Sequence, residues 1–322
     1  MLLGTLNYNM KLFIYTLSFV LLCLSCTKEV DIAIPGYEEQ IVVDGSIKTG
    51  QPAIVLLSTT ADIYSPTNLE AYLSGFISGA TVVVSDGIIT DTLVEICTDN
   101  LPPGTEELAA AFFGLPVEEL INLNLCGYFS TSIVGEVGKT YSLSVSVNAE
   151  TYTSVTSILQ PTALDTLYWK PEPSLVDHGW SWATLSDPPG SFDAYLWEVQ
   201  RLNTLPDGTK DPIVYKPFGP YFDDAFFDGL TFEFAYENPI NFFDEDIDLD
   251  YRGYYPQGDT ILITLSKIGQ AEFDFFEKKY NQMYTAGNPF ATPTNIPSNI
   301  EGGALGIWAG LSPSVDTMFC QP

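Results

Sequence analysis

The segment Thr140-Tyr141-Ser142-Leu143-Ser144-Val145-Ser146-Val147 alternates bulky and small polar side chains without a break. Successive side chains of a strand point to opposite faces, so Tyr141, Leu143, Val145 and Val147 share one face and the three serines the other. The pattern predicts a half-buried strand with one wet face. Asn148, Ala149 and Glu150 then turn the chain into a second strand over 151–159. Working outward, β-branched runs predict strands at 40–48 and 53–59 around a Gly50 turn. Two more, at 80–85 and 88–95, meet across Asp86-Gly87, a two-residue hairpin signal. Together they predict an immunoglobulin-like β-sandwich over residues 40–160.

Residues 98–125 break the pattern. Thr105-Glu106-Glu107 and Pro116-Val117-Glu118-Glu119 read as the capped starts of two short helices, a helical insertion in a β domain. A boundary falls near Pro161, and 161–322 predicts a C-terminal β domain with strands at 194–201, 231–236, 260–265 and 305–309. Its one helix, over 270–286, carries Phe273, Phe276, Tyr280 and Met283 at steps of three and four, a stripe suited to packing on a sheet. The fold class is therefore mainly β: two β-sandwich-like domains, the first immunoglobulin-like with a short helical insertion, the second with one helix.

Among 322 residues, 12 Lys plus Arg face 41 Asp plus Glu, a formal net charge of −29. Such a surface repels polyanions and excludes nucleic acid as the partner. At 46% hydrophobic and 13% aromatic, the chain carries far more core-forming side chain than an acidic disordered segment does.

Lys11 and the apolar run that follows it read as a secretory signal over 1–25, too short to span a bilayer. The run ends in Leu24-Ser25-Cys26, which resembles the lipobox of bacterial lipoproteins, although Cys23 stands where lipoboxes usually have Leu. In that reading Cys26 becomes the first mature residue and carries the lipid. The plainer alternative is an ordinary signal segment with two small apolar cysteines. Residues 26–39 form a tether, and Thr27, Lys28, Glu29 and Asp31 look like the tag that sends Bacteroidota lipoproteins to the outer face of the outer membrane.

An exported protein meets an oxidising compartment, and a Cys97–Cys126 disulfide would pin the base of the insertion. Cys320 would then remain a free thiol near a flexible C-terminus. Three mature cysteines besides Cys26 allow three pairings, and the spacing does not choose among them. A catalytic triad would have to use His178, the only histidine, and no G-x-S-x-G elbow accompanies it, so no catalytic residue is assigned. Asp244, Asp246, Asp248 and Asp250 have the alternating carboxylate rhythm of a calcium loop, yet Leu249 and Tyr255 stand where an EF-hand needs Gly and Glu. The choice is between calcium in another geometry and a solvated acidic loop, and no cofactor is required. Asp223, Asp224 and Asp228 form a second acidic cluster with the same two readings. Trp180 and Trp182, beside turn-forming residues, are the tryptophans expected to be exposed for ligand binding.

The chain resembles the Bacteroidota lipoproteins grouped as domain of unknown function family 4249. The resemblance runs through Ile41-Val42-Val43-Asp44-Gly45, Gly79-Ala80-Thr81-Val82, Thr140-Tyr141, Asp165-Thr166-Leu167, Phe222-Asp223-Asp224 with Asp228-Gly229, and Gly258-Asp259-Thr260. Its most specific piece is Asn288-Pro289-Phe290, then Ser298-Asn299-Ile300 and Gly302-Gly303 leading into Leu305-Gly306-Ile307-Trp308. The resemblance implies an accessory surface lipoprotein encoded beside TonB-dependent outer membrane transporters, and it supplies no catalytic residue. The expectation is a noncatalytic, lipid-anchored outer membrane protein, facing the exterior, that binds a ligand or partner beside such a transporter. A carbohydrate-active hydrolase using paired carboxylates and a calcium-stabilised adhesion or structural module are the alternatives.

Overall fold

The computed structural model describes residues 38–321 apart from 62–74, 102, 114–116, 121–122, 124, 206–207, 212, 243–245 and 286–294. Cys26, most of the tether, Asp244 and Asn288-Pro289-Phe290 lie outside the described residues.

The first half contributes β1 (Ile41–Lys48), β2 (Pro52–Thr59), β3 (Thr81–Ser85), β4 (Thr90–Thr92) and β5 (Val94–Cys97). It continues with β6 (Cys126–Val134), β7 (Thr140–Val147) and β8 (Glu150–Ser157). Strands β4-β3-β7-β8 form one sheet, and β1-β2-β6-β5 run in the other. Tyr141, Leu143 and Val145 of β7 are buried against Val43, Ile47, Val55 and Leu57, so the alternation that marks β7 also aims its apolar face into the first core.

Two local features differ from the sequence reading. The hairpin register pairs Ser85 with Thr90, and the Asp86 N–H donates to the Ile89 carbonyl. The central pair is thus Gly87-Ile88 rather than Asp86-Gly87, with Gly87 (φ 85°) taking the positive φ that a primed turn requires. The 88–95 run also splits, because β4 belongs to the small sheet and β5 to the large one, as strands do at a sandwich corner. The insertion folds as α1 (Glu106–Phe113) and α2 (Val117–Leu120), and a disulfide joins Cys97 to Cys126 at its base.

The second half supplies β9 (Thr166–Pro171), β10 (His178–Ser186), β11 (Ala194–Arg201), β12 (Tyr221–Asp223) and β13 (Thr231–Tyr236). After these come β14 (Tyr255–Pro256), β15 (Thr260–Ile268), the helix α3 (Gln270–Tyr284) and β16 (Leu305–Phe319). Strand β10 pairs with β9, β13 and β14, and this sheet packs on β11 and β15 around Trp169, Leu185, Tyr195, Trp197, Ile261 and Ile263.

Strand β16 joins the two sandwiches. Residues 305–311 lie parallel to β1, and 312–319 lie antiparallel to β15. One eight-stranded sheet, in the order β12-β11-β15-β16-β1-β2-β6-β5, therefore draws on both sides of Pro161. Trp308 enters the first core and Met318 the second, and their even spacing puts both on one face of the strand. Ile307, Ala309 and Leu311 point the other way, against Phe273, Phe275 and Phe276 of α3. The strand expected at 305–309 runs on through Pro313 to Phe319. Pro313 is tolerated because at that point β16 is paired with β15 alone.

Two further expectations are corrected. Met283 is 68% exposed, so the helix stripe ends a turn early, and Phe275 takes a buried place instead. Cys320 is free, as a leftover cysteine would be, but it is buried in the second core rather than in a flexible end. Burial pushes its thiol up to about 12.

Candidate functional site

Strand β10 is built with its large residues outward. Gly179, Ser181, Ala183 and Leu185 are buried, whereas His178, Trp180, Trp182 and Thr184 occupy the opposite face and are half-buried. The inward side chains are small because Trp169, Tyr255 and Trp197 already fill the core beneath, with Trp169 Nε1 donating to the Tyr255 carbonyl at 3.1 Å. The outer face of this sheet is consequently aromatic. The His178 ring stands 4.5 Å from that of Tyr251, and Trp180 meets Tyr254 edge-on at 4.8 Å.

Polar groups frame this row. Trp180 Nε1 donates to Glu172 Oε2 at 3.3 Å, and Lys170 Nζ lies 4.7 Å from the centre of the Trp182 ring, a cation–π contact. Hydrogen bonds from the Ser174 hydroxyl and amide, then from Trp180, hold the Glu172 carboxyl below its ordinary range, so it is ionised at neutral pH. Trp182 is flanked across the strands by exposed Tyr168 and by Ala235, and its Nε1 is buried without a hydrogen-bond partner. Tyr168 donates its hydroxyl to Glu233 at 2.7 Å. The surface combines flat apolar rings with fixed donors and acceptors, a combination suited to holding a ligand or a partner side chain.

A carboxylate cluster lies at the other end of β10. Asp187, Asp224 and Asp228 bring ligand oxygens within 4.8 Å of one another, the first two buried and the third exposed. The Gly229 N–H donates to Asp187 Oδ2 (3.2 Å), the Gly190 N–H to Asp228 Oδ1 (2.6 Å) and the Tyr195 hydroxyl to Asp187 Oδ1 (2.6 Å). These bonds fix the 187–190 turn against the 224–229 turn.

The family model described as Domain of unknown function (DUF4249) matches residues 27–315. The chain belongs to the DUF4249 family. Neither the search of curated proteins nor that of solved structures returns a match.

Two DUF4249 motif pieces that are distant in sequence meet in space, where Gly45 of β1 pairs with Trp308 of β16, and Asp224 and Asp228 of a third converge on Asp187 from outside the motifs. The Asp246, Asp248 and Asp250 run does not converge in this way. Asp246 and Asp250 are exposed, and Asp248 caps a short 3-10 turn by accepting from the Asp250 N–H. Among the described residues, the other group of three metal-type side chains is Glu95 with the disulfide-bonded Cys97 and Cys126, whose sulfurs are not free to ligate. His178 directs Nδ1 to the Val176 carbonyl at 2.9 Å. Sequence reading missed Asp187, whose only local signal is its place before Pro188-Pro189-Gly190, a turn that returns the chain toward β11.

Proposed function

We propose that this DUF4249 chain is a noncatalytic lipoprotein of the outer membrane surface, anchored through Cys26, that binds a ligand or partner beside a TonB-dependent transporter. The observation that carries the binding part is the packing of β10, which buries Gly179, Ser181 and Ala183 and leaves Trp180 and Trp182 half-buried on the opposite face. A strand selected only for stability would bury those indoles, since each removes about 150–250 Å² of surface from water when buried. The anchoring part rests on the Leu24-Ser25-Cys26 sequence and on the charge of −29, which gives the protein no electrostatic attraction to anionic headgroups of its own.

Metabolic labelling with a clickable fatty acid, followed by affinity purification from native outer membranes in mild detergent, tests both parts. Expected results are label on the wild type, none on Cys26→Ser, and recovery of an identified TonB-dependent transporter. Absence of label, or a positive sugar-release assay with no transporter recovered, overturns the reading.

A further inference from the structure

The three converging carboxylates of Asp187, Asp224 and Asp228 are accompanied by a fourth. Asp193 stands one residue before β11, and its carbonyl accepts the Asp224 N–H at 2.9 Å, extending the β11/β12 ladder by one pair. Side chains directly opposite in an antiparallel ladder share a face, with Cβ atoms about 4.5–5.5 Å apart. Asp193 is 2% exposed. Its Oδ1 takes the Lys267 ammonium at 2.7 Å, while its Oδ2 is buried without a hydrogen-bond partner, on the face it shares with Asp224. Lys267 pairs with Asp193, and of the three converging carboxylates Asp187 and Asp224 are buried as well.

A buried carboxylate left without compensation is costly, and the group either takes up a proton or finds a cation. We infer that Asp187, Asp224 and Asp228 bind one calcium ion, with the unpartnered oxygen of Asp193 supporting the site from behind. Hard carboxylate oxygens with no nitrogen or sulfur ligand suit calcium, which accepts the irregular geometry of two facing turns more readily than magnesium does. Exposed Asp228 gives the ion a route from solvent. The bonds from Gly190, Gly229 and Tyr195 orient the carboxylates, and water and backbone carbonyls complete the shell. The ion would join the 187–190 turn to the 224–229 turn, next to a sheet edge where β12 has only three residues.

The test is calorimetric titration of chelator-treated, full-length mature protein with calcium chloride, at physiological ionic strength with magnesium in excess. The expected result is one saturable site per chain, with affinity reduced about tenfold or more in Asp228→Asn. Asp228 is exposed, so this variant is expected to fold, and circular dichroism checks that it has; Asp224→Asn provides a second, buried variant. Asp248→Asn is expected to leave the site intact. No saturable heat in the wild type, equal affinity in Asp228→Asn, or loss of the site in Asp248→Asn alone overturns the assignment.

Discussion

Gly45 lies directly opposite Trp308 in the parallel β1/β16 ladder, and a Cβ on Gly45 would fall 2.8 Å from Trp308 Cε3 and 3.3 Å from both its Cζ3 and Val55 Cγ2. The indole thus lies over bare backbone, and two distant motif pieces are one packing unit. Gly45→Ala is expected to destabilise by about 1–3 kcal/mol through overpacking. Urea unfolding of Gly45→Ala, Trp308→Leu and the double variant checks this. The alanine should cost less once the indole is gone, and additive costs would show that the two residues do not touch.

Asn299 clamps the same tryptophan. Its Nδ2 donates to the Trp308 carbonyl at 2.9 Å, and its Oδ1 accepts the Trp308 N–H at 2.9 Å. The side chain stands in for a neighbouring strand where β16 has β1 on one side only. Asn299→Ala leaves two backbone groups without partners and is expected to cost about 2–4 kcal/mol. Asn299→Asp retains the acceptor and loses the donor, so its unfolding midpoint should also fall below the wild-type value.

The turn between β7 and β8 places Asn148 at φ 54° and Ala149 at φ 66°. Positive φ is strained for alanine, by about 1–2 kcal/mol, and free for glycine, although glycine also gains freedom when unfolded. Ala149→Gly is expected to raise stability by up to about 1 kcal/mol, read from the thermal midpoint.

Asp86 gives the acid limb a marker. The amides of Ile89 and Ile88, then the ammonium of Lys139, bond its charged form and lower its carboxyl from 3.8 to about 2. A depressed folded pKa contributes stability that is fully present above the unfolded value and is lost as the pH falls through the folded one. The stability difference between wild type and Asp86→Asn should therefore be constant above about pH 5 and shrink as the pH falls toward 2. Urea midpoints across that range measure it, and a difference unchanged by pH contradicts the assignment.

Closing a loop of 29 residues with the Cys97–Cys126 bond stabilises by about 3–4 kcal/mol in the chain-entropy treatment, and the paired serine variant should lose that much. Buried Cys320, with its thiol pushed up to about 12, should react with alkylating reagents only when the second core unfolds.

Strands whose faces differ were legible from sequence, as β7 and β13 illustrate, because period-two alternation is a local signal. The joining role of β16 was not legible. It depends on a change of partner at Leu311, and the accompanying Pro313 reads as a strand stop. Trp180 and Trp182 were expected to be exposed and are instead half-buried, and the inward-facing small residues gain meaning only once Trp169 and Trp197 are seen beneath them. Asp224 and Asp228 stood out as acids in a row, but their convergence on Asp187 depends on two turns brought together by tertiary structure.

The claim that the aromatic face is where this protein meets its partner is tested most directly by crosslinking in living cells. A photo-reactive residue at position 182 is compared with one at Val155, which is exposed on the other sandwich. The account predicts a crosslink from 182 to a TonB-dependent transporter that disappears in Cys26→Ser. No crosslink from 182, or an equal one from 155, would contradict it.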